Sequence, residues 1–281
     1  MWENVVLWRA IAVLRPHAVG KGDSAIVKIC PLASSSAGNS TYVATSRTRI
    51  LVDAGLSRTE TFRRLAEIGE DPEALDAILI THEHNDHVMG VHRIARKLDI
   101  PVYLSRLTAT AIVWEGEPPA IETFQAGSSF SIGDIEINSF TIPHDAIDPV
   151  GFTLRAEGMK IGLATDLGYL PESIRHHLRG VDFLLLESNH DLEMLKVGPY
   201  PWSVKQRVMS RRGHLSNEVV SKFIEDGLDA SVATLVLGHL SEHNNHPEIV
   251  RLVAQQALSA RGLSTQLVVA EPGKQAPAFS F

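Results

Sequence analysis

The period of apolar positions changes repeatedly along the chain. Residues 25–30 (AIVKIC), 40–44 (STYVA) and 49–55 (RILVDAG) are short apolar runs that read as strands, with PLASSSAGN between the first two reading as a loop. TETFRRLAEIG (59–69) shifts to a spacing of three and four and predicts an amphipathic helix. LDAILIT (75–81) predicts a buried strand, HVMGVHRIARKL (87–98) a second helix, IPVYLS (100–105) another strand, and residues 106–114 a further helix. From 121 to 166 the pattern is almost all strand: IETFQ, SSFSIGDIEINSFTI, VGFTLRAEG and MKIGLATD. Gly133-Asp134 and Glu157-Gly158 mark hairpins there. The remainder alternates again. VDFLLLES, SVATLVLGHL and TQLVVA predict strands, and helices are predicted near 191–197, 202–211, 216–227 and 246–260. Strand-rich halves with interleaved helices imply two mixed sheets flanked by helices, an αββα sandwich of the α/β class.

Residues 1–24 read as an appendage, a tail or short extra helix before a single domain over 25–281. The apolar run at 5–14 is broken and bounded by Arg9 and Arg15, too short to span a bilayer. No A-x-A-like cleavage site follows it, so a secretory signal is not expected.

Composition changes this picture in three places. The charge of −7 argues against a protein that coats nucleic acid through overall positive charge, although it leaves room for a local basic groove. A lone cysteine, Cys30, excludes an intramolecular disulfide framework and points to a reducing, cytoplasmic setting; its place in the first strand predicts a buried side chain. The 13 histidines are numerous, and histidine is the commonest metal ligand and acid/base side chain.

The strand LDAILI runs straight into Thr81-His82-Glu83-His84-Asn85-Asp86-His87. His82 and His84 are two apart in extended chain, so their imidazoles share a direction. Asp86 and His87 follow where a helix should begin. Together these make a compact nitrogen and oxygen site for a metal. Adjacent Asp86 and His87 diverge from the first pair, so a second metal with further ligands is the simpler reading. His144, Asp166 and His239 are the candidates, because each follows directly on a buried strand.

This order of residues resembles the metallo-β-lactamase fold, and more narrowly the WalJ/YycJ-like family of bacterial metallo-hydrolases. The resemblance is carried by SSSAGNS (34–40), ILVDAG (50–55), ILITHEHNDHVMGV (78–91), IPHDAIDPVGF (142–152), ATDLG (164–168), LLLESNHDLEML (184–195), GPYP (198–201), GHLSN (213–217) and GHLSEHNN (238–245). It implies that His82, His84 and His144 hold one divalent ion, that Asp86, His87 and His239 hold a second, and that Asp166 bridges both. Zinc suits the histidine-rich set, with manganese or iron also compatible. Asp53 is implied as a group that orients a metal-bound histidine. Many antibiotic-hydrolysing relatives place a cysteine on the second metal. Here Asp166 fits a bridge instead, as in the nuclease, phosphodiesterase, glyoxalase and lactonase branches.

The implied activity is hydrolysis of phosphodiester bonds by a metal-bridging hydroxide, 5′-to-3′ on DNA, with a role in DNA repair. Asp86, Asp166 and His214 are the expected catalytic groups. Ser36, Asn39, Glu187, Asn189, His190 and Ser216 are expected to line the substrate rim, with Asn217 capping the next helix. Lys205 and Arg207, in a basic stretch with Arg211 and Arg212, are expected to hold phosphates. Asp166 and His239 are 73 positions apart, too close for the large inserted domain of β-CASP nucleases, so an open cleft is expected. A thioester or lactone hydrolase would use the same seven ligands, but with a narrow apolar pocket and no basic track. A non-catalytic metal-binding module is disfavoured because it would not need all seven.

Overall fold

The computed structural model describes residues 27–281; the expectation for the tail at 1–24 lies outside the described residues. In the first sheet, β1 (Lys28–Ser35), β2 (Gly38–Ala44), β3 (Arg49–Val52), β4 (Ala77–Leu79), β5 (Val102–Ser105) and β6 (Ile121–Phe124) lie side by side in chain order. The second sheet follows the same rule with β7 (Ser129–Ile132), β8 (Ile135–Thr141), β9 (Val150–Ala156), β10 (Met159–Ala164), β11 (Phe183–Glu187), β12 (Thr234–Gly238) and β13 (Gln266–Val269). A terminal strand absent from the sequence reading, β14 (Phe279–Ser280), returns to pair antiparallel with β1. Both sheets are mixed: β3 to β6 and β10 to β13 run parallel, and the remaining pairs are antiparallel.

Strand alternation decides the layers. Ile50 and Val52 of β3 face inward and meet Ile135, Ile137, Phe152, Leu154 and Leu185 from the second sheet. Leu51 faces outward onto Leu65 of α1 (Arg58–Glu67) and Ile94 of α3 (Val91–Leu98). On the other flank Leu184, Leu186, Leu235 and Leu237 face α5 (Glu172–His177), α8 (Asn217–Asp226) and α9 (Pro247–Ala260) through Ile174, Val220, Phe223 and Val250. Three apolar layers between four layers of structure form the αββα sandwich. The hairpins at Gly133-Asp134 and Glu157-Gly158 are where the sequence puts them. Gly133, Glu157 and Gly158 all have positive φ, as tight reversals require.

Three local differences matter for the site. PLASSSAGN is not a loop: β1 continues to Ser35, bulges between Pro31 and Ala33, and turns only at Ser36-Ala37. Small side chains let this strand end lie buried against β12, where the Ser34 hydroxyl accepts the His239 N–H at 2.8 Å. The helix expected over 87–98 is broken at Gly90 into α2 (Asn85–Val88) and α3. A Cβ on Gly90 would lie 2.0 Å from the Leu56 carbonyl oxygen, and its N–H bonds the Ala54 carbonyl, so the chain turns to admit the β3–α1 loop. The helix expected over 106–114 stops early as α4 (Arg106–Ala111), while α5 was not anticipated. The remaining helices, α6 (Leu192–Val197) and α7 (Trp202–Val208), lie between β11 and α8.

Candidate metal centre

Strand ends from both sheets converge on one edge of the sandwich. Asp53 follows β3, His82 and His84 follow β4, His144 follows β8, Asp166 follows β10 and His239 follows β12. Asp53, Asp166 and His239 all have φ between 55° and 62°, the left-handed region, which costs a non-glycine residue roughly 1–2 kcal/mol. Hydrogen bonds fix these reversals: Asp53 N–H to the Leu79 carbonyl, Gly168 N–H to the Pro143 carbonyl, and His239 N–H to Ser34. The turn aims each side chain back along the edge, across the gap between sheets.

The side chains fall into overlapping groups that could hold cations: His82, His84 and His144; Asp86, His87 and His239; His82, His87 and Asp166; and Asp166, Glu187, His214 and His239. His84 Nδ1 lies 3.2 Å from both His82 Nε2 and His144 Nε2. Donors on a tetrahedral ion with bonds of about 2.0–2.1 Å stand about 3.4 Å apart, so this spacing fits one. In the second group Asp86 Oδ2 is 3.4 Å from His87 Nε2 and 3.7 Å from His239 Nε2. Asp166 lies between the groups, Oδ2 3.3 Å from His87 Nε2 and Oδ1 3.9 Å from His144 Nε2. Asp166 Oδ2 and His239 Nε2 are buried without a hydrogen-bond partner, the condition of atoms that a cation would satisfy.

The electrostatics divide the candidate donors into two kinds. Burial, with His87 close by, holds His82 well below the usual histidine range although Asp166 opposes it, so His82 is neutral and able to donate a lone pair. Burial likewise lowers His144. At His87 and His239 burial pushes down, but carboxylates win: Asp166 and Asp53 hold His87 well above its ordinary value, and Asp166, Asp86 and Glu187 lift His239 to about 10. Asp166 stays ionised despite its burial because His239 and His87 face it.

A second layer holds these groups in place. His87 Nδ1 donates to Asp53 Oδ2 at 2.8 Å, and the Thr81 N–H and hydroxyl bond the same carboxylate. Asp53 therefore touches a candidate ligand from behind. Asn39 donates to Asp86 Oδ2 at 3.1 Å. Gly55 permits the close approach of β3 to α2, since a Cβ there would lie 1.6 Å from the Asp86 carbonyl oxygen.

Several residues expected at the substrate rim are placed otherwise. Glu187 is fully buried and lies behind the site. Its Oε1 accepts from His214 Nδ1 and His239 Nδ1, both at 2.7 Å, and its Oε2 accepts the Leu167 and Leu215 N–H groups. Asn189 is buried and donates to the His239 carbonyl. His190 is buried, which pushes it down to about 4. Ser216, not Asn217, caps α8, its hydroxyl accepting from Val219 N–H; Asn217 instead joins Ser188 and Asn245 in a buried network. Lys205 is buried and donates to the Lys196 carbonyl, so its ammonium is withdrawn from the surface. Ser36 is exposed at the β1–β2 turn. Arg207 is exposed and pairs with Asp145, beside His144. His214 is brought into the centre, its ring 5.3 Å from those of both His144 and His239. Arg212, named in the sequence only as part of the basic stretch, donates to the His144 carbonyl, and the supporting roles of Thr81 and Ser34 escaped the sequence reading. Only Thr81, heading the histidine motif, carried a hint.

The model of the beta-lactamase superfamily domain matches residues 48–239. The chain belongs to the beta-lactamase superfamily. Within this superfamily it is 39% identical over 236 residues to exodeoxyribonuclease YycJ of Bacillus anthracis, covering 82% of this chain and 89% of that protein. It is also 39% identical over 244 residues to exodeoxyribonuclease WalJ of Streptococcus pneumoniae serotype 2, covering 83% and 88%. The fold is shared with the metallo-beta-lactamase fold protein YhfI of Bacillus subtilis, with a TM-score of 0.68 at 16% identity over 92% of this chain and 100% of that one. The superfamily and the WalJ/YycJ-like branch are those the motifs imply, and the chain is a metal-dependent hydrolase. Among the described residues no helix is long and apolar enough to cross a membrane.

Proposed function

We propose that this chain is a binuclear phosphodiesterase that degrades DNA from its 5′ end. His82, His84 and His144 would hold one divalent ion, and Asp86, His87 and His239 the other, with Asp166 shared between them. Zinc is the favoured metal, with manganese or iron as alternatives. The observation that carries the reading is this set of seven donors, clustered about Asp166, in a chain so similar to two curated exodeoxyribonucleases. Two bound divalent ions would supply hydroxide at neutral pH and offset phosphate charge.

The chain's own residues do the rest. Glu187 engages His214 Nδ1, leaving Nε2 as the nitrogen free to deliver a proton to a departing oxygen. Burial opposes protonation of His214, but the Glu187 carboxylate outweighs it and keeps the ring charged to higher pH than usual. Asp53 fixes His87, and Asn39 steadies Asp86. Arg207 and Arg212, both tied to the segment around His144, would hold phosphates beyond the scissile bond. Buried, free Cys30 fits a protein of the reducing cytoplasm.

The test is a substrate panel with metal-reconstituted protein: end-labelled single- and double-stranded DNA and RNA, beside a thioester and a lactone. Progressive release of nucleotides from the 5′ end of DNA is expected. Fast thioester or lactone hydrolysis without nucleic-acid cleavage would replace this reading with a small-molecule hydrolase.

A further inference from the structure

The surface beside the site is uneven in charge. Met194 to Asn217 contains five of the chain's 26 Lys and Arg residues and none of its 33 Asp and Glu residues, so the rest carries 21 against 33. Buried Lys205 aside, and with Lys196 paired to Glu193 just outside the segment, the positive charge beside the site lies on Arg207, Arg211 and Arg212. Its middle is α7, whose Trp202 is 63% exposed although tryptophan has a large apolar surface to bury.

Contacts fix where this helix lies. At its C-terminal end Arg207 pairs with Asp145, beside His144, and the Val208 carbonyl accepts the His214 N–H at 2.9 Å. Just before its N-terminal end Tyr200 packs edge-on against His243, four residues beyond His239. α7 is thus held between the segment that follows His239 and the segment that carries His144. At a rise of about 1.5 Å and a rotation of about 100° per residue, Trp202 stands roughly 8 Å along the axis from Arg207 and about 140° around it, so a strand touching both would cross the helix obliquely. Beyond the helix Arg211 lies over the Tyr169 ring at 4.3 Å, three residues after Asp166, and Arg212 holds the His144 carbonyl.

We propose that α7 and the loop to His214 form a track for single-stranded nucleic acid, with Trp202 as a platform on which a base stacks while Arg207, Arg211 and Arg212 hold phosphates. This rests on the nuclease reading above and adds to it the form of the substrate. Charge complementarity selects the occupant: an acid-free basic segment in an otherwise acidic chain suits a polyanion. An exposed indole among arginines offers what an unpaired base needs, a flat face beside cations. A duplex keeps its bases stacked within itself and cannot offer one to Trp202.

The test measures binding of a phosphorothioate-linked single-stranded oligonucleotide, and of its duplex, to the metal-loaded protein. Trp202→Ala should weaken single-strand binding by roughly 5- to 100-fold, and Trp202→Phe should retain most of it. Duplex affinity should change by less than single-strand affinity. Binding should quench tryptophan fluorescence in the parent and much less in Trp202→Phe. Unchanged single-strand affinity in Trp202→Ala, with circular dichroism like the parent's, would overturn the track. So would a change of oligomeric state with affinity intact, since Trp202 would then be a protein contact. A parent that cleaves no nucleic acid defeats the nuclease reading itself; a parent that cleaves but ignores Trp202→Ala defeats only the track.

Discussion

At the scale of single residues, the site depends on groups that work in pairs. In the proposed mechanism His214 would act through Nε2 because Glu187 engages its Nδ1, and Glu187 engages His239 through the same oxygen. Because His214 lies outside the seven proposed donors, His214→Ala should leave metal content unchanged in elemental analysis. Turnover on DNA should fall by about 10²–10⁴-fold, the range for a positioned acid or base. Normal cleavage by that variant would reduce the GHLSN loop to structure. A second prediction concerns protons. His239, lifted to about 10, and His87, held well above its ordinary value, are both protonated in the metal-free protein at neutral pH. Each must lose its proton to bind a cation, so affinity should rise with pH by up to about tenfold per unit for each proton released, levelling as pH passes the metal-free value. Competition with a chelator between pH 6 and 9 would measure this, and a flat profile would contradict it. The seven residues proposed as donors stood out in the sequence because histidine and aspartate stood directly after apolar runs. Glu187 was legible as a strand-end carboxylate, but not as a buried one, since nothing local says which way a strand's last side chain turns. The left-handed turns at Asp53, Asp166 and His239 left no trace in residue type, because they are imposed by partners distant in the chain.

At the scale of elements, what positions the site is close contact between segments. Gly55 is packed against the backbone of α2, the helix that carries Asp86 and His87. Gly55→Ala should push that helix outward, because the clash is with a main-chain carbonyl rather than a flexible side chain. The expected result is a loss of about 1–3 kcal/mol in stability, as for other overpacked sites, together with weakened metal binding. Thermal unfolding and metal titration of the variant check both; parent-like values in both would mean that the contact is easily relaxed. Elements with a strong period, such as α1, α9 and β11, were readable from sequence. The end of β1 was not: its serines resemble a loop locally, and pairing with the start of β2 (Ser34 with Asn39, Ser35 with Gly38), together with the bond from His239 N–H to Ser34, makes them a strand. The break at Gly90 was hidden for the same reason, because its cause is the Leu56 carbonyl on another loop.

At the scale of the molecule, two seven-stranded sheets bring their strand ends to one edge, so candidate donors spread from His82 to His239 meet in a single cluster. Between Asp166 and His239 lie β11, β12 and four of the helices, α5 to α8, not a further domain. The central claim is that this edge holds two cations joined through Asp166. The most direct measurement is elemental analysis of the reconstituted protein beside Asp166→Ala, paired with the hydrolysis rate of each. The parent should bind about two equivalents per chain. The variant should lose much of one equivalent and nearly all hydrolysis. A parent that saturates at one equivalent, or an Asp166→Ala protein that turns over at a near-normal rate, would contradict the account.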